Sequence, residues 1–93
     1  LEIVGKSGAS HIIDFMIVDS KDRKFMGKNI FSGAFIDEEF VFKIFGISFD
    51  IGADGVFLFV LPHLTVRASE LSDFYEFKVF DVSNLNDNSR IKE

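Results

Sequence analysis

The sequence predicts a mixed α/β fold, and three stretches carry that prediction. Residues 24–31 alternate, with Phe25, Gly27, Asn29 and Phe31 on one side and Lys24, Met26, Lys28 and Ile30 on the other, the period of a strand. From Phe40 onward the period changes: Phe40, Val41, Ile44, Phe45, Ser48 and Ile51 recur at helical spacing. Residues 56–61 are then continuously apolar and rich in β-formers, which reads as a central strand covered on both faces.

The other elements fall into place around these. Residues 2–4 form a short strand that ends at Gly5, and the glycine-serine stretch to Ser10 is a turn. Residues 11–18 are the next strand, interrupted by the carboxylate of Asp14. Asp19 to Arg23 is a charged turn, because Asp, Ser and Lys cluster there without an apolar period. Three strands joined by short turns make an antiparallel meander. Asp37, Glu38 and Glu39 sit in the first turn of the helix, where acids favour the helix dipole, and Gly52 suits its end. Gly46 in the helix interior costs about 1 kcal/mol relative to Ala, so something is expected to pack closely there. Pro62 ends the apolar strand and Thr65 is a fitting N-cap for a second helix, with Ala68, Leu71 and Tyr75 as its buried stripe and Phe74 beside it. Residues 77–82 are a last strand. The order is β-β-β-α-β-α-β: an antiparallel meander followed by right-handed parallel crossovers in a mixed sheet. One domain over residues 1–82 and a polar tail or linker over 83–93 complete the expected organisation.

Composition narrows the function classes. The chain has 93 residues, 47% of them hydrophobic, with thirteen Phe against one Tyr and no Trp. A domain this small has little interior for so much Phe, so part of it is expected in an interface. Absence of Cys excludes disulfides and thiolate metal sites, and two His are too few for an imidazole zinc cluster. A net charge of −5, from fifteen acids and ten bases, supplies little drive for non-specific DNA binding, although Lys21, Arg23, Lys24 and Lys28 form a local basic patch. The apolar run 56–61 is far too short to cross a membrane, no signal peptide is visible, and a cytoplasmic piece of a longer protein is expected.

The segments Gly5-Lys6-Ser7-Gly8, His11 and Asp14-Phe15 carry a family resemblance, as do Phe49-Asp50-Ile51-Gly52-Ala53, Pro62 and the stretch from Ala68 to Tyr75. Together they resemble archaeal proteins of the restriction-endonuclease-like, PD-(D/E)-X-K, nuclease superfamily over roughly residues 1–82. The resemblance implies a restriction-endonuclease-like fold whose core has a further helix before the first strand. It also implies a site of two carboxylates holding Mg²⁺, with a lysine nearby that polarises water or phosphate. By that resemblance Asp14 is the first acid and a metal ligand, and Lys28 is the lysine. The second acid should stand two residues before the lysine, on the same strand face. That position holds Met26, and a thioether cannot replace a carboxylate for Mg²⁺. Some members move the acid to the following helix, which makes Glu38 or Glu39 the candidate, although both are equally explained as helix-start acids.

The remaining chemistry-bearing residues have plain alternatives. Asp19-Ser20-Lys21 and Asp22-Arg23-Lys24 repeat the D-X-K string but fall in a charged turn. Gly5-Lys6-Ser7 lacks the helix that a phosphate loop needs. His11 heads the strand of Asp14 and could serve as a base, or lie inert at a strand end. His63 stands at the carboxyl end of a strand, where ligands of open α/β sheets gather, and is a pocket candidate. No Ser/His/Asp grouping has a suggestive spacing, and the Phe residues, alternating with other apolar residues, read as core. Phe42 and Phe49 project from one flank of the first helix as an expected homodimer interface.

The functional expectation is a catalytically degenerate nuclease-fold module of a larger DNA-associated protein, serving dimerisation or domain positioning. It would need no cofactor and would meet DNA through the full-length protein. One alternative is an active Mg²⁺-dependent DNA nuclease with a relocated acid. Another is a small-molecule sensor domain working near His63.

Overall fold

The computed structural model describes residues 1–61 and 63–82; Pro62 and the expected tail at 83–93 lie outside the described residues. Six strands and two helices follow in the order β1 (Glu2–Val4), β2 (Ser10–Ile12), β3 (Phe15–Val18), β4 (Lys24–Phe31), α1 (Glu38–Ile51), β5 (Gly55–Leu61), α2 (Val66–Phe74) and β6 (Lys78–Asp81). The mixed α/β class and the mixed sheet therefore hold. The main sheet runs β3-β4-β5-β6, with β3 antiparallel to β4 and with β4, β5 and β6 mutually parallel.

The expected three-strand meander is corrected. The strand foreseen over 11–18 is two strands in two sheets: β2 pairs with β1 as a separate hairpin, and β3 joins β4. The chain changes partner within one residue. The Ile13 amide donates to the Leu1 carbonyl at 2.9 Å, and the Asp14 amide donates to the Gly27 carbonyl at 3.0 Å. Asp14 marks this handover. As β3 peels away from β4, the Asn29 amide loses its ladder partner, and the Asp14 carboxylate accepts it at 2.6 Å.

Helix ends form as their residues dictate. The Asp37 carboxylate caps α1 by accepting from the Glu39 amide, and Gly52 closes it in the left-handed conformation at φ 75°. Thr65 caps α2 through its hydroxyl, which accepts from the Ala68 amide at 3.1 Å. Both helices pack on one face of the sheet. Val41, Ile44 and Ser48 of α1 and Ala68 of α2 are buried there with Met26, Ile30, Val56, Leu58 and Val60. Leu71 and Tyr75 are half-buried, and Phe74 is exposed.

The opposite face overturns two expectations. Phe15, Phe25, Phe57, Phe59 and Phe80 lie together there, half-buried or exposed, with rings 4.9–6.3 Å apart. No described element covers them, so β5 is buried on one face only. Nor is Phe the core residue: of thirteen, Phe77 alone is buried, at 8% exposure. Ile, Val, Leu and Met fill the space between sheet and helices, because those positions alternate with the Phe positions along β4 and β5. Gly27 belongs to the aromatic face, where a side chain would run into the Phe15 ring.

Candidate functional site

Asp14 lies just before β3, where its amide donates to the Gly27 carbonyl, and Lys28 follows Gly27 on β4. Their polar groups do not converge on a metal position. The Asp14 carboxylate holds the Asn29 amide, and Lys28 Nζ donates to the Ile12 carbonyl at 3.0 Å. Met26, at the position where the resemblance expects a second acid, is fully buried at 0% exposure in the core. Of the helix-start acids, Glu38 lies 3.9 Å from Arg67, and Glu39 lines a small surface cavity with Asp37, Phe40 and Lys43. Among the described residues no group of three or more His, Cys, Asp or Glu is gathered closely enough to hold a metal ion.

The D-X-K strings are turn chemistry. The Asp19 carboxylate accepts from the amides of Lys21 and Arg23 and from Arg23 Nε at 2.7 Å, and these bonds hold its carboxyl below the usual range. The Gly5–Gly8 loop is likewise a tight turn, in which the Gly8 amide donates to the Gly5 carbonyl and Gly8 takes φ 90°.

A grouping that sequence spacing did not suggest gathers around Asp50, near the end of α1. His11 Nε2 lies 2.6 Å from Asp50 Oδ2, the Ser7 hydroxyl donates to the same oxygen at 2.7 Å, and the Ser7 amide donates to Oδ1 at 2.8 Å. The Lys6 amide adds a bond to the Asp50 carbonyl. Hydrogen bonding by His11 first, then by the side chain and amide of Ser7, lowers the Asp50 carboxyl to about 2. Ser, His and Asp meet here, but both the hydroxyl and the imidazole bind the carboxylate. A nucleophilic triad would place the hydroxyl on the imidazole. The cluster is a clamp that ties the β1–β2 hairpin to α1, and Gly5 is part of it, since a Cβ there would collide with the Asp50 carboxylate.

A cleft of about 540 Å³ opens beside the clamp, between β2, the end of β4 and α1. His11, Lys28 and Lys43 bring the charge to its wall; Ser10, Asn29 and Ser32 bring neutral polar groups; Ile12, Ile44 and Ile47 are among its apolar lining. Lys43 was not singled out in the sequence, although it is the one basic residue of α1. His63, the sequence-derived pocket candidate, lines a second cleft of about 490 Å³ with Val60, Ser69, Asp73, Val79 and Asp81. Its Nδ1 lies 2.5 Å from Asp81 Oδ2, and its ring stacks on Phe35 with centroids 6.1 Å apart.

Phe42 and Phe49 are both exposed, at 51% and 74%. They belong to a larger patch. Phe42, Phe45, Gly46 and Phe49 follow the spacing i, i+3, i+4, i+7 along the outer side of α1. Phe45 stacks on Tyr75 with centroids 4.1 Å apart, and Phe74 meets Tyr75 edge-on. A Cβ placed on Gly46 would meet no atom within 4 Å, so nothing within the described chain packs where close approach was expected.

No protein-family model, no curated protein and no solved structure matches this chain.

Proposed function

We propose that this chain is a catalytically degenerate module of the restriction-endonuclease-like type that works by self-association within a larger DNA-associated protein. The observation that carries the reading is the outer stripe of α1. A helix apolar on its inner and its outer side belongs inside a larger structure, and α1 has both stripes while one faces solvent. The stripe complements itself: across a two-fold axis between Phe45 and Gly46, two antiparallel copies of α1 set Phe42 of one against Phe49 of the other and Phe45 against Gly46. The missing side chain at the centre lets the backbones approach. Phe42, Phe45, Phe49 and Phe74, at 51%, 38%, 74% and 79% exposure, together offer roughly 500 Å² per protomer, taking about 200 Å² for a whole ring. Roughly 1,000 Å² across the pair stands at the minimum expected of a biological interface, below the standard range of about 1,200–2,000 Å².

Degeneracy is supported by Met26, an apolar core side chain at the position of the second acid, and by the Asp14 carboxylate closing the sheet ladder. Domain positioning is supported by the aromatic sheet face. Parallel sheets are almost always covered on both sides, and we assign this bare side to a neighbouring domain of the larger protein.

Sedimentation velocity over a concentration series tests self-association. The expected result is a monomer–dimer equilibrium that Phe42→Glu shifts fully to monomer, since a charge set against an aromatic ring inside an apolar interface is strongly disfavoured. A chain that stays monomeric at the highest concentration, or a dimer indifferent to Phe42→Glu, refutes the reading.

A further inference from the structure

The cleft beside the Asp50 clamp has a charge at odds with the rest of the molecule. The chain carries fifteen acids and ten bases. Among the described residues the side chains lining this cleft nevertheless include no carboxylate, while Lys28, Lys43 and His11 all do line it. They come from three elements, β4, α1 and β2, so no local sequence bias concentrates them.

Each basic group is available in a different way. Lys28 Nζ gives one hydrogen to the Ile12 carbonyl, which fixes the ammonium at the wall; an ammonium has two more to donate. Lys43 makes no ion pair with Glu39, one helical turn before it, nor with any other described acid. His11 is oriented by its Nε2 contact to Asp50, with the carboxylate behind the ring. Ser10, Asn29 and Ser32 add neutral hydrogen-bonding groups, and Ile44 and Ile47 form apolar wall. The volume, about 540 Å³, falls within the ordinary range for small-molecule sites, about 300–1,000 Å³.

We propose that this cleft binds a small organic anion, a phosphate or carboxylate headgroup held by Lys28 and Lys43 on an apolar body resting against Ile44 and Ile47. Two ammonium groups on the wall of a cleft that no carboxylate lines form charge-assisted bonds to such a headgroup. The isoleucine wall favours a ligand with a ring or chain over a bare ion. This proposal stands independently of self-association, because the outer stripe of α1 is a different surface.

The test is titration of the ¹⁵N-labelled chain followed by amide NMR, with phenyl phosphate, benzoate, inorganic phosphate and benzylammonium as separate probes. Phenyl phosphate or benzoate should move the amides of His11, Lys28, Asn29 and Lys43 saturably, with a Kd below about 1 mM, and whichever binds tighter names the headgroup. Inorganic phosphate should bind more weakly, and benzylammonium should leave these amides in place. Lys43→Gln, a substitution on a solvent-facing helix position, should weaken binding at least about fivefold, and the spectrum itself reports that the fold is kept. Lys78→Gln, on the aromatic face of the sheet, should leave it unchanged. Equal shifts with benzylammonium would reduce the cleft to an apolar crevice and overturn the proposal. So would unchanged affinity in Lys43→Gln, or a duplex oligonucleotide that displaces phenyl phosphate at lower concentration and so claims the cleft for nucleic acid.

Discussion

Asp50 shows how one carboxylate can fix a supersecondary arrangement. A three-residue hairpin pair such as β1–β2 has little stability of its own. It stays against α1 because Ser7 and His11 converge on one carboxylate at the helix end, and the Lys6 amide donates to the backbone carbonyl of the same residue. The folded carboxyl is lowered from 3.8 to about 2. A depressed acid stabilises the folded state above its unfolded value, and that contribution disappears as pH falls through the folded value. The denaturant midpoint should therefore decline between about pH 4 and pH 2, and Asp50→Asn should flatten this decline while lowering the midpoint at neutral pH. Urea titrations at several pH values check this; parallel acid limbs in the two proteins would show that Asp50 is not the group responsible. Asp14 makes the same point about a different carboxylate. Its place at the strand switch, holding the Asn29 amide, accounts for an acid in an apolar run without any catalysis.

At the scale of the element, α1 is a helix with two apolar sides, and in the proposed dimer Gly46 separates its folding from its association. In the single chain the position is exposed and open on the outside. Gly46→Ala should therefore stabilise the monomer by roughly 1 kcal/mol through helix propensity alone. Gly46→Leu should also preserve the fold, yet it should weaken the dimer by holding the two helices apart. Thermal melts read the first effect and sedimentation the second. A leucine variant that dimerises as well as the parent would move the two-fold axis away from Gly46. β5 carries a comparable division. Val56, Leu58 and Val60 pack beneath the helices, while Phe57 and Phe59 join the open aromatic face.

The whole molecule has charge and surface poorly suited to DNA by itself. Among the described residues Arg23 is engaged by Asp19, Lys28 and Lys43 line the cleft, and Lys6, Lys21, Lys24, Arg67 and Lys78 are spread over several separate elements. Counterion release needs several cations facing phosphate together. Residues 1–93 should accordingly bind duplex DNA no more tightly than about 10⁻⁴ M at physiological salt, the weak end of non-specific binding, and should leave plasmid uncut with Mn²⁺. Calorimetry should detect no Mg²⁺ or Mn²⁺ site tighter than about 100 µM, a threshold suited to a site of few carboxylates. Cleavage or metal binding abolished by Asp14→Ala would restore an active nuclease and bring Glu38 or Glu39 back as the relocated acid.

The sequence by itself determined what depends on neighbours along the chain. The helical period of α1, its Asp37 and Gly52 ends, the Thr65 cap, the apolar β5 and the turns at Gly5–Gly8 and Asp19–Arg23 are all set by local backbone preference and short-range hydrogen bonds. Tertiary structure decided whatever depends on partners distant in sequence. The split at Ile13–Asp14 arises because two different strands, one ending at Leu1 and one passing Gly27, compete for the same stretch. Periodicity sees a single run there. The Asp50 clamp joins residues 39 and 43 apart in sequence, and Lys43 shares a cleft with Lys28 only because α1 packs over the sheet. The Phe residues mislead for the same reason. Alternation along β4 and β5 shows that two faces exist, but only the placement of both helices on one side settles which face is core, and it leaves the aromatic one bare.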